Sequence, residues 1–421
     1  MFRALLTTMS HSPKRVSVPK NGVDYRGKVV LAPMVRSGEL PSRLLALKYG
    51  ADLVWGPETV DRSMIGTMRR VNPVTSTVDF TRMSSNSLQT GSPKESVIYR
   101  LHPVREKGRL IFQIGTASPT LAVQAAKLVA ADVAGIDVNA GCPKPFSTSG
   151  GMGAALLETP DLLASILKAL VKEVGEVYEI GISVKIRLLK APEETEALVR
   201  KLCQTGITGL TVHCRTRPMR PREPAIRDQL RMIGRICREE GVACVMNGDV
   251  RNKDEALELV QEYGVDGSMI ATAAEANSSC FRTAEQGGLL PWREVVTEYI
   301  KIALDTENKY GNTKFLLSQL MPGKSDLYRP VTSSKNYSQV CEILGLHDLA
   351  DLAMNVDERL GMTEWQREKV AEEVAAVKKA KAKNKSAQAA GGNMVRERAI
   401  NTAGKGSLSE RGVGAAPPMT V

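Results

Sequence analysis

Aromatic side chains are scarce in this 421-residue chain, at 4%, so any large core must be built from aliphatic residues. No run of 18 or more apolar residues occurs, which leaves no candidate membrane span. The seven cysteines are an odd number and are scattered. None forms a CxxC pair, and none sits with histidine at zinc-ligand spacing. A disulfide scaffold and a metal centre are therefore not expected, and a reducing compartment is. A glycine-rich GxGxxG turn is missing after the first apolar run, which ends in Ala32-Pro33-Met34. That argues against an open dinucleotide-binding sheet.

Acidic residues are missing from the first 23 positions, whereas Arg3, Lys14, Arg15 and Lys20 are present. This composition suits a disordered arm over 1–27, a start at Met9, or a mitochondrial transit peptide over 1–20. The expectation is a cytoplasmic protein, with nuclear residence as an addition and mitochondrial targeting as the second reading. The net charge of +11 favours a polyanionic partner such as RNA or an anionic surface, or reflects solvated lysines alone.

What is present is a repeat. Eight short apolar runs lie at 29–34, 52–56, 110–115, 135–141, 182–187, 210–214, 243–249 and 267–273. Amphipathic stretches such as 118–131, 159–174, 193–205, 227–241 and 252–263 separate most of them. Nearly continuous apolar strands read as parallel and buried. Eight strand–helix units in this length predict an α/β fold, a closed (β/α)8 TIM barrel over 28–284. Between the second and third runs, STVDF and VIYRL predict a hairpin around an insertion at about 82–96. Helical patterns at 291–308, 313–321, 334–344 and 349–360 predict a small all-helical domain over 285–360. Residues 361–421 read as a mostly disordered basic tail.

Active groups of such barrels gather at the C-terminal ends of the strands. There this chain carries Gln113, Asn139, Cys142, Lys185, Arg187, His213, Arg215, Asn247 and Asp249. A lysine inside the apolar strand SVKIR needs a partner. It either escapes or pairs in the core, or it lies beside the N1/O2 edge of a flavin, where negative charge develops on reduction. His213 is one of four histidines and is predicted in the same layer as Lys185 and Asn247. The turns NGDV (247–250) and ATAAE (271–275) stand where barrels commonly bind phosphate. Cys142 lies in a loop fixed by glycine and proline, a place for an acid, nucleophile or redox group. Cys203 and Cys237 fall on predicted helices and read as inert.

The stretches LAPMVRSGELPSRLLALKYGADLVW, FQIGTASPTLAVQAAKLV, VAGIDVNAGCPKPFSTSGGMGAALL, SVKIR, TVHCRTRPMRP and NGD resemble the tRNA-dihydrouridine synthases. The resemblance spans about residues 28–350 and is strongest to the eukaryotic dihydrouridine synthase 2 subfamily of the fungal type. NTKFLLSQLMPGK (312–324) resembles the start of that subfamily's helical tRNA-binding domain. The double-stranded-RNA-binding domain of animal members is not expected within 361–421.

The resemblance implies bound FMN, NADPH as reductant and tRNA as substrate, with no membrane or metal partner and a monomeric state. It places Pro33, Met34, Gln113, Lys185 and His213 against the flavin ring. Asn247, Gly248, Asp249, Ala271, Thr272 and Ala273 fall at its ribityl and phosphate end. Cys142 matches the family's catalytic acid, giving a proton to C5 of a D-loop uridine at position 20 while hydride goes to C6. The uridine must leave its stack to react. Asn139, Lys144, Arg187, Arg215 and Arg217 are expected on the tRNA side, with Arg220 and Arg222 adding charge. Ala140, where Met is usual, and Thr272, where Arg is common, depart from the pattern. The competing reading is a flavin barrel oxidoreductase acting on a small molecule.

Overall fold

A computed structural model describes residues 17–83 and 95–363, with Glu368 and Glu372. The first sixteen residues of the predicted arm, the insertion from 84 to 94, and nearly all of the predicted tail lie outside the described residues. The chain forms one compact unit up to Val356 and a second from Asp357 onward.

The strands are β1 (Lys28–Leu31), β2 (Leu53–Trp55), β3 (Thr59–Val60), β4 (Met68–Asn72), β5 (Thr77–Met83), β6 (Glu95–Leu101), β7 (Leu110–Gly115), β8 (Gly135–Ala140), β9 (Gly181–Leu188), β10 (Gly209–Thr216), β11 (Ala243–Asn247) and β12 (Gly267–Ile270). The order β2-β1-β12-β11-β10-β9-β8-β7 is parallel throughout. Pairing of β2 with β7 closes it into a barrel. All eight strands fall on the eight apolar runs. The short β3 adds to β7 at the C-terminal rim.

The predicted hairpin is a three-stranded antiparallel sheet, β4-β5-β6. The extra strand, MRRVN, is exposed along most of its length. It has no buried face to leave an alternating pattern, so periodicity could not reveal it. A buried ion pair helps to fasten this sheet. Arg43 donates from Nε to Glu106 Oε1 at 2.6 Å and from Nη2 to the carbonyl of Arg100 at 2.8 Å, and both charged side chains are buried.

Tyr25, from the segment before β1, plugs the N-terminal end of the barrel. Its ring centroid lies 5.8 Å from that of Trp55, in a cluster with Val30, Leu53, Ile111, Val245 and Met269. Glycine at the start of β10 makes room for it, because a Cβ on Gly209 would stand 2.6 Å from the Tyr25 ring.

Helices Leu40–Lys48, Pro119–Val129, Pro160–Leu170, Pro192–Cys203, Leu230–Glu240 and Lys253–Tyr263 cover the barrel. Ser118 and Asn252 cap two of them by accepting from backbone N–H groups, which satisfies donors otherwise orphaned at a helix start. Helix Trp292–Asp305 packs against Leu40–Lys48. Helices Tyr310–Leu320, Tyr328–Ser333, Tyr337–Leu344 and Ala350–Arg359 follow. Tyr328–Ser333 is a turn of helix the sequence pattern did not signal; Pro330 lies within it.

Candidate functional site

In a barrel, alternate strand residues face the axis. Above the apolar plug this alternation brings polar groups inward. On β8 these are Asp137 and Asn139, on β9 Ser183, Lys185 and Arg187, and on β10 Thr211, His213 and Arg215. Of these, Asn139, Lys185, Arg187 and His213 line a cavity of about 400 Å³ at the C-terminal mouth. Pro33, Met34, Gln113, Asn139, Cys142, Lys144, Lys185, Arg187 and His213, nine of the residues singled out by sequence, line it together.

The floor of this cavity is a hydrogen-bonded chain. Asp137 is fully enclosed and accepts from Gln113 Nε2 at 2.8 Å and Ser183 Oγ at 2.7 Å. Burial pushes its carboxyl up to about 6 against those hydrogen bonds and the charge of Lys185. Because Gln113 spends its NH2 on Asp137, its Oε1 is left as an acceptor.

Strand β9 runs one residue beyond SVKIR, to Leu188, so Lys185 stands inside the strand, three residues from its end. Its Nζ donates to Asn247 Oδ1 at 3.0 Å. Burial and then the nearby Arg187 bring the ammonium down to about 8, with Asp137 opposing. His213 pairs in register with Asn247 and Arg187. Burial, with Lys185, Arg187 and Arg215 around it, lowers the imidazole to about 2, so it is neutral. Arg215 Nη1 lies 3.2 Å from His213 Nε2. A guanidinium can only donate, so Nε2 accepts and the ring proton sits on Nδ1.

The thiol loop is fixed on several sides. Asn139 Oδ1 accepts from the backbone N–H of Gly141 at 2.9 Å and Cys142 at 3.0 Å. Arg187 Nε donates to the Gly141 carbonyl at 2.8 Å, and Ala154 N–H to the Cys142 carbonyl at 2.9 Å. Burial pushes the Cys142 thiol up, helped by Glu58 and opposed by Lys144 and Ser147. Cys142 is the one cysteine with partial exposure; the other six are buried and all seven are free.

A smaller cavity of about 100 Å³ adjoins, lined by His213, Arg215, Asn247, Gly248, Asp249, Ala271 and Thr272. His213 borders both. Of the residues the resemblance assigned to the ribityl and phosphate end, Asn247, Gly248, Asp249, Ala271 and Thr272 line this cavity together, and Ala273 does not.

Arg215 differs from expectation. It is not a surface cation but is 4% exposed, bonded to Asp249 Oδ1 at 2.6 Å and to the carbonyls of Glu223 and Pro221. A buried guanidinium must satisfy its donors, and the loop folds back to do so. Asp249 is thereby committed, its carboxyl held low by Arg215 and the Ala225 N–H against a burial effect that raises it. Arg217 is half-buried and paired with Glu158.

Sequence reasoning missed Glu58, Val35, Phe146, Glu275, Phe315 and Gln319, which also line the large cavity. Phe315 comes from helix Tyr310–Leu320 and carries Arg36 over its ring, 4.3 Å from guanidinium carbon to centroid. Val35 and Phe146 are neighbours of Met34 and Lys144 and carry no polar group to mark them, while Glu58, Glu275, Phe315 and Gln319 reach the mouth from turns or helices elsewhere in the chain.

The fold and its mouth define a (β/α)8 barrel with its functional face at the C-terminal ends of the strands. The chain belongs to the dihydrouridine synthase family: the family model described as Dihydrouridine synthase (Dus) matches residues 30–338. It is 50% identical over 323 residues to the tRNA-dihydrouridine(20) synthase (NAD(P)+) of Schizosaccharomyces pombe, covering 76% of this chain and 65% of that one. It is 46% identical to the tRNA-dihydrouridine(20) synthase (NAD(P)+) of Saccharomyces cerevisiae, covering 76% and 84%. To the tRNA-dihydrouridine(20a/20b) synthase (NAD(P)+) of S. pombe the identity falls to 30%, covering 62% and 70%. The match to the first of these relatives thus spans just under two thirds of its length.

Proposed function

We propose that the protein reduces uridine 20 of the tRNA D-loop to dihydrouridine, with FMN bound at the barrel mouth and NADPH as reductant. The observation that carries this reading is the convergence of Lys185, His213, Gln113 and Cys142 on one cavity. Support for the position comes from the two relatives named for position 20, which share 50% and 46% of their aligned residues with this chain.

The donor set fits a flavin. Its ring presents alternating donors and acceptors along one edge. Lys185 offers a cation, His213 an Nδ1–H, and Gln113 an acceptor Oε1. Backbone N–H groups around Gly248 and Thr272, beside Arg215, suit a phosphate. When bound there, the flavin supplies the hydride for C6 of the uracil.

The chain's own residues do the rest. A cation beside the flavin's N1/O2 edge stabilises negative charge that develops on reduction. Cys142, kept as a thiol by burial and by Glu58, holds the proton for C5. Asn139 fixes the loop that carries this thiol, so sulfur and base meet in one geometry. Lys144 is exposed at the rim and, with Phe146, receives the flipped nucleotide. Arg217, Arg220 and Arg222 lie outside the cavity and add to the field that holds a phosphate backbone. The chain acts as a monomer in the cytoplasm.

Dihydrouridine mapping of tRNA from cells lacking this protein tests the reading. Loss of dihydrouridine at position 20 alone is expected, and an unchanged map would overturn it.

A further inference from the structure

Glu58 follows β2 in a segment, Gly56-Pro57-Glu58, with no periodic pattern to mark it. It is partly buried, and it lines the same cavity as Cys142. Its carboxyl has a place made for it, since a Cβ on Gly115 at the end of β7 would stand 2.5 Å from Glu58 Oε1. That oxygen accepts from Ser147 Oγ at 3.0 Å. Ser147 is buried inside the thiol loop, five residues after Cys142. Burial raises the Glu58 carboxyl, opposed by Ser147, Asn139, Cys142 and Lys144 around it. Groups that fix or carry the thiol thus gather around one carboxylate from a different segment of the chain.

Cations face the same cavity from other elements: Lys144 on the loop, and Lys185 and Arg187 on β9. Neutral His213 on β10 and Glu275 on helix Thr272–Ala276 complete the charged and titratable surroundings. Left to these cations alone, the thiol would be drawn toward its anionic form. A thiolate has no proton to give.

We propose that Glu58 is the positioning residue of the thiol: it holds the Cys142 loop through Ser147, keeps the sulfur in its proton-carrying form, and returns the proton after turnover. The role rests on the reading of Cys142 as the proton donor. In the donating step the Sγ–H bond breaks, its electron pair stays on sulfur, and the proton forms a C–H bond at C5. The Glu58 carboxylate then takes a proton from solvent water, which leaves as hydroxide, and passes it to Sγ; the O–H electron pair stays on oxygen, so the carboxylate regains its charge.

The test uses the full-length flavin-loaded protein, wild type and the variants Glu58→Gln, Glu58→Asp and Ser147→Ala. The first readout is the rate of iodoacetamide alkylation of Cys142 against pH, followed on its own peptide by mass spectrometry. Removing the carboxylate charge should move the alkylation midpoint of Glu58→Gln down by about one pH unit. Alkylation near neutral pH then rises about tenfold. Glu58→Asp should stay close to wild type. The second readout is turnover on tRNA. For Glu58→Gln, kcat is expected to fall by about 10²-fold with KM for tRNA unchanged, and Glu58→Asp should recover part of it. An alkylation profile identical in Glu58→Gln and wild type would overturn the proposal, as would a loss confined to KM. Should Glu58→Gln fail to fold, Ser147→Ala carries the same alkylation test with a smaller downward shift, and no shift there overturns the proposal. If the wild-type protein itself forms no dihydrouridine, the assigned function fails, while the alkylation result still decides whether Glu58 governs the thiol.

Discussion

Replacing Lys185 by methionine should make the flavin-free chain more stable at neutral pH. The ammonium is brought down to about 8 from 10.5, first by burial and then by Arg187. The unfolded chain keeps this proton up to the ordinary lysine range, whereas the folded chain releases it from about 8. Between these two values the unfolded state binds more protons, so stability rises with pH across that window. Below about 8 both states are protonated, and the folded state carries the whole penalty, about 3 kcal/mol. Methionine carries none at any pH. Against this gain stands the hydrogen bond from Lys185 Nζ to Asn247 Oδ1, whose loss costs about 1–2 kcal/mol.

The net expectation is that Lys185→Met is more stable by about 1–2 kcal/mol near pH 7. That advantage should shrink, and turn into a deficit, as pH rises toward the ordinary lysine value. Urea unfolding of the flavin-stripped full chain at several pH values measures it. The difference between wild type and variant is the quantity to follow, because every other titrating group is common to both. Saturating reduced flavin should reverse the order, since its anionic ring edge then pairs with the ammonium and would find no such partner in methionine. A stability difference that stays constant between about pH 7 and 10.5 would refute the buried-cation account.

Three further outcomes are expected. Arg43→Met strands Glu106 without a partner inside the protein and should cost about 3–5 kcal/mol, with the double replacement Arg43→Met, Glu106→Met recovering most of it in thermal unfolding. Gly209→Ala places a methyl 2.6 Å from the Tyr25 ring and should cost about 1–3 kcal/mol, partly relieved by Tyr25→Leu. Cys142→Ala removes a partly exposed thiol from a loop held by other contacts, so flavin spectrum and tRNA binding persist while turnover on tRNA falls by about 10²-fold or more.

The barrel was legible because a closed parallel sheet needs continuous aliphatic strands, and eight such runs stand in the sequence. The inward polar layer was legible for a related reason. Lys185 or Asn139 inside an apolar run violates the local pattern, and such violations mark function. Arg215 was misread because RTRPMRP has the composition of a solvated basic loop. Only the fold shows that its first arginine turns inward onto Asp249, 34 residues on. Glu58 left no signal because its partner Ser147 is 89 residues away and its cradle is a glycine on a third segment. The strand β4 was invisible because none of its residues is buried.

These long-range contacts share a purpose that the strands alone do not serve. Lys185, Arg187 and Arg215 place three cations close together, and each lowers the proton affinity of His213. Such a cluster is unfavourable in the empty barrel, and Arg187 contributes directly to the strain on Lys185. Arg187 and Arg215 are restrained by backbone carbonyls and Asp249, so their positions persist without any ligand. Lys185 has only the neutral Asn247 amide within hydrogen-bond distance and a distant share of Asp137. Arg187 and Lys185 both line the cavity, but Arg187 is satisfied by carbonyls, so Lys185 is the cation that an anionic ring edge would relieve most. The sealed apolar plug of Tyr25 and Trp55 beneath supplies the stability that this arrangement withholds. On this account the two halves of the barrel interior are complementary: the lower half holds the fold together, so that the upper half can keep a charge waiting for its ligand.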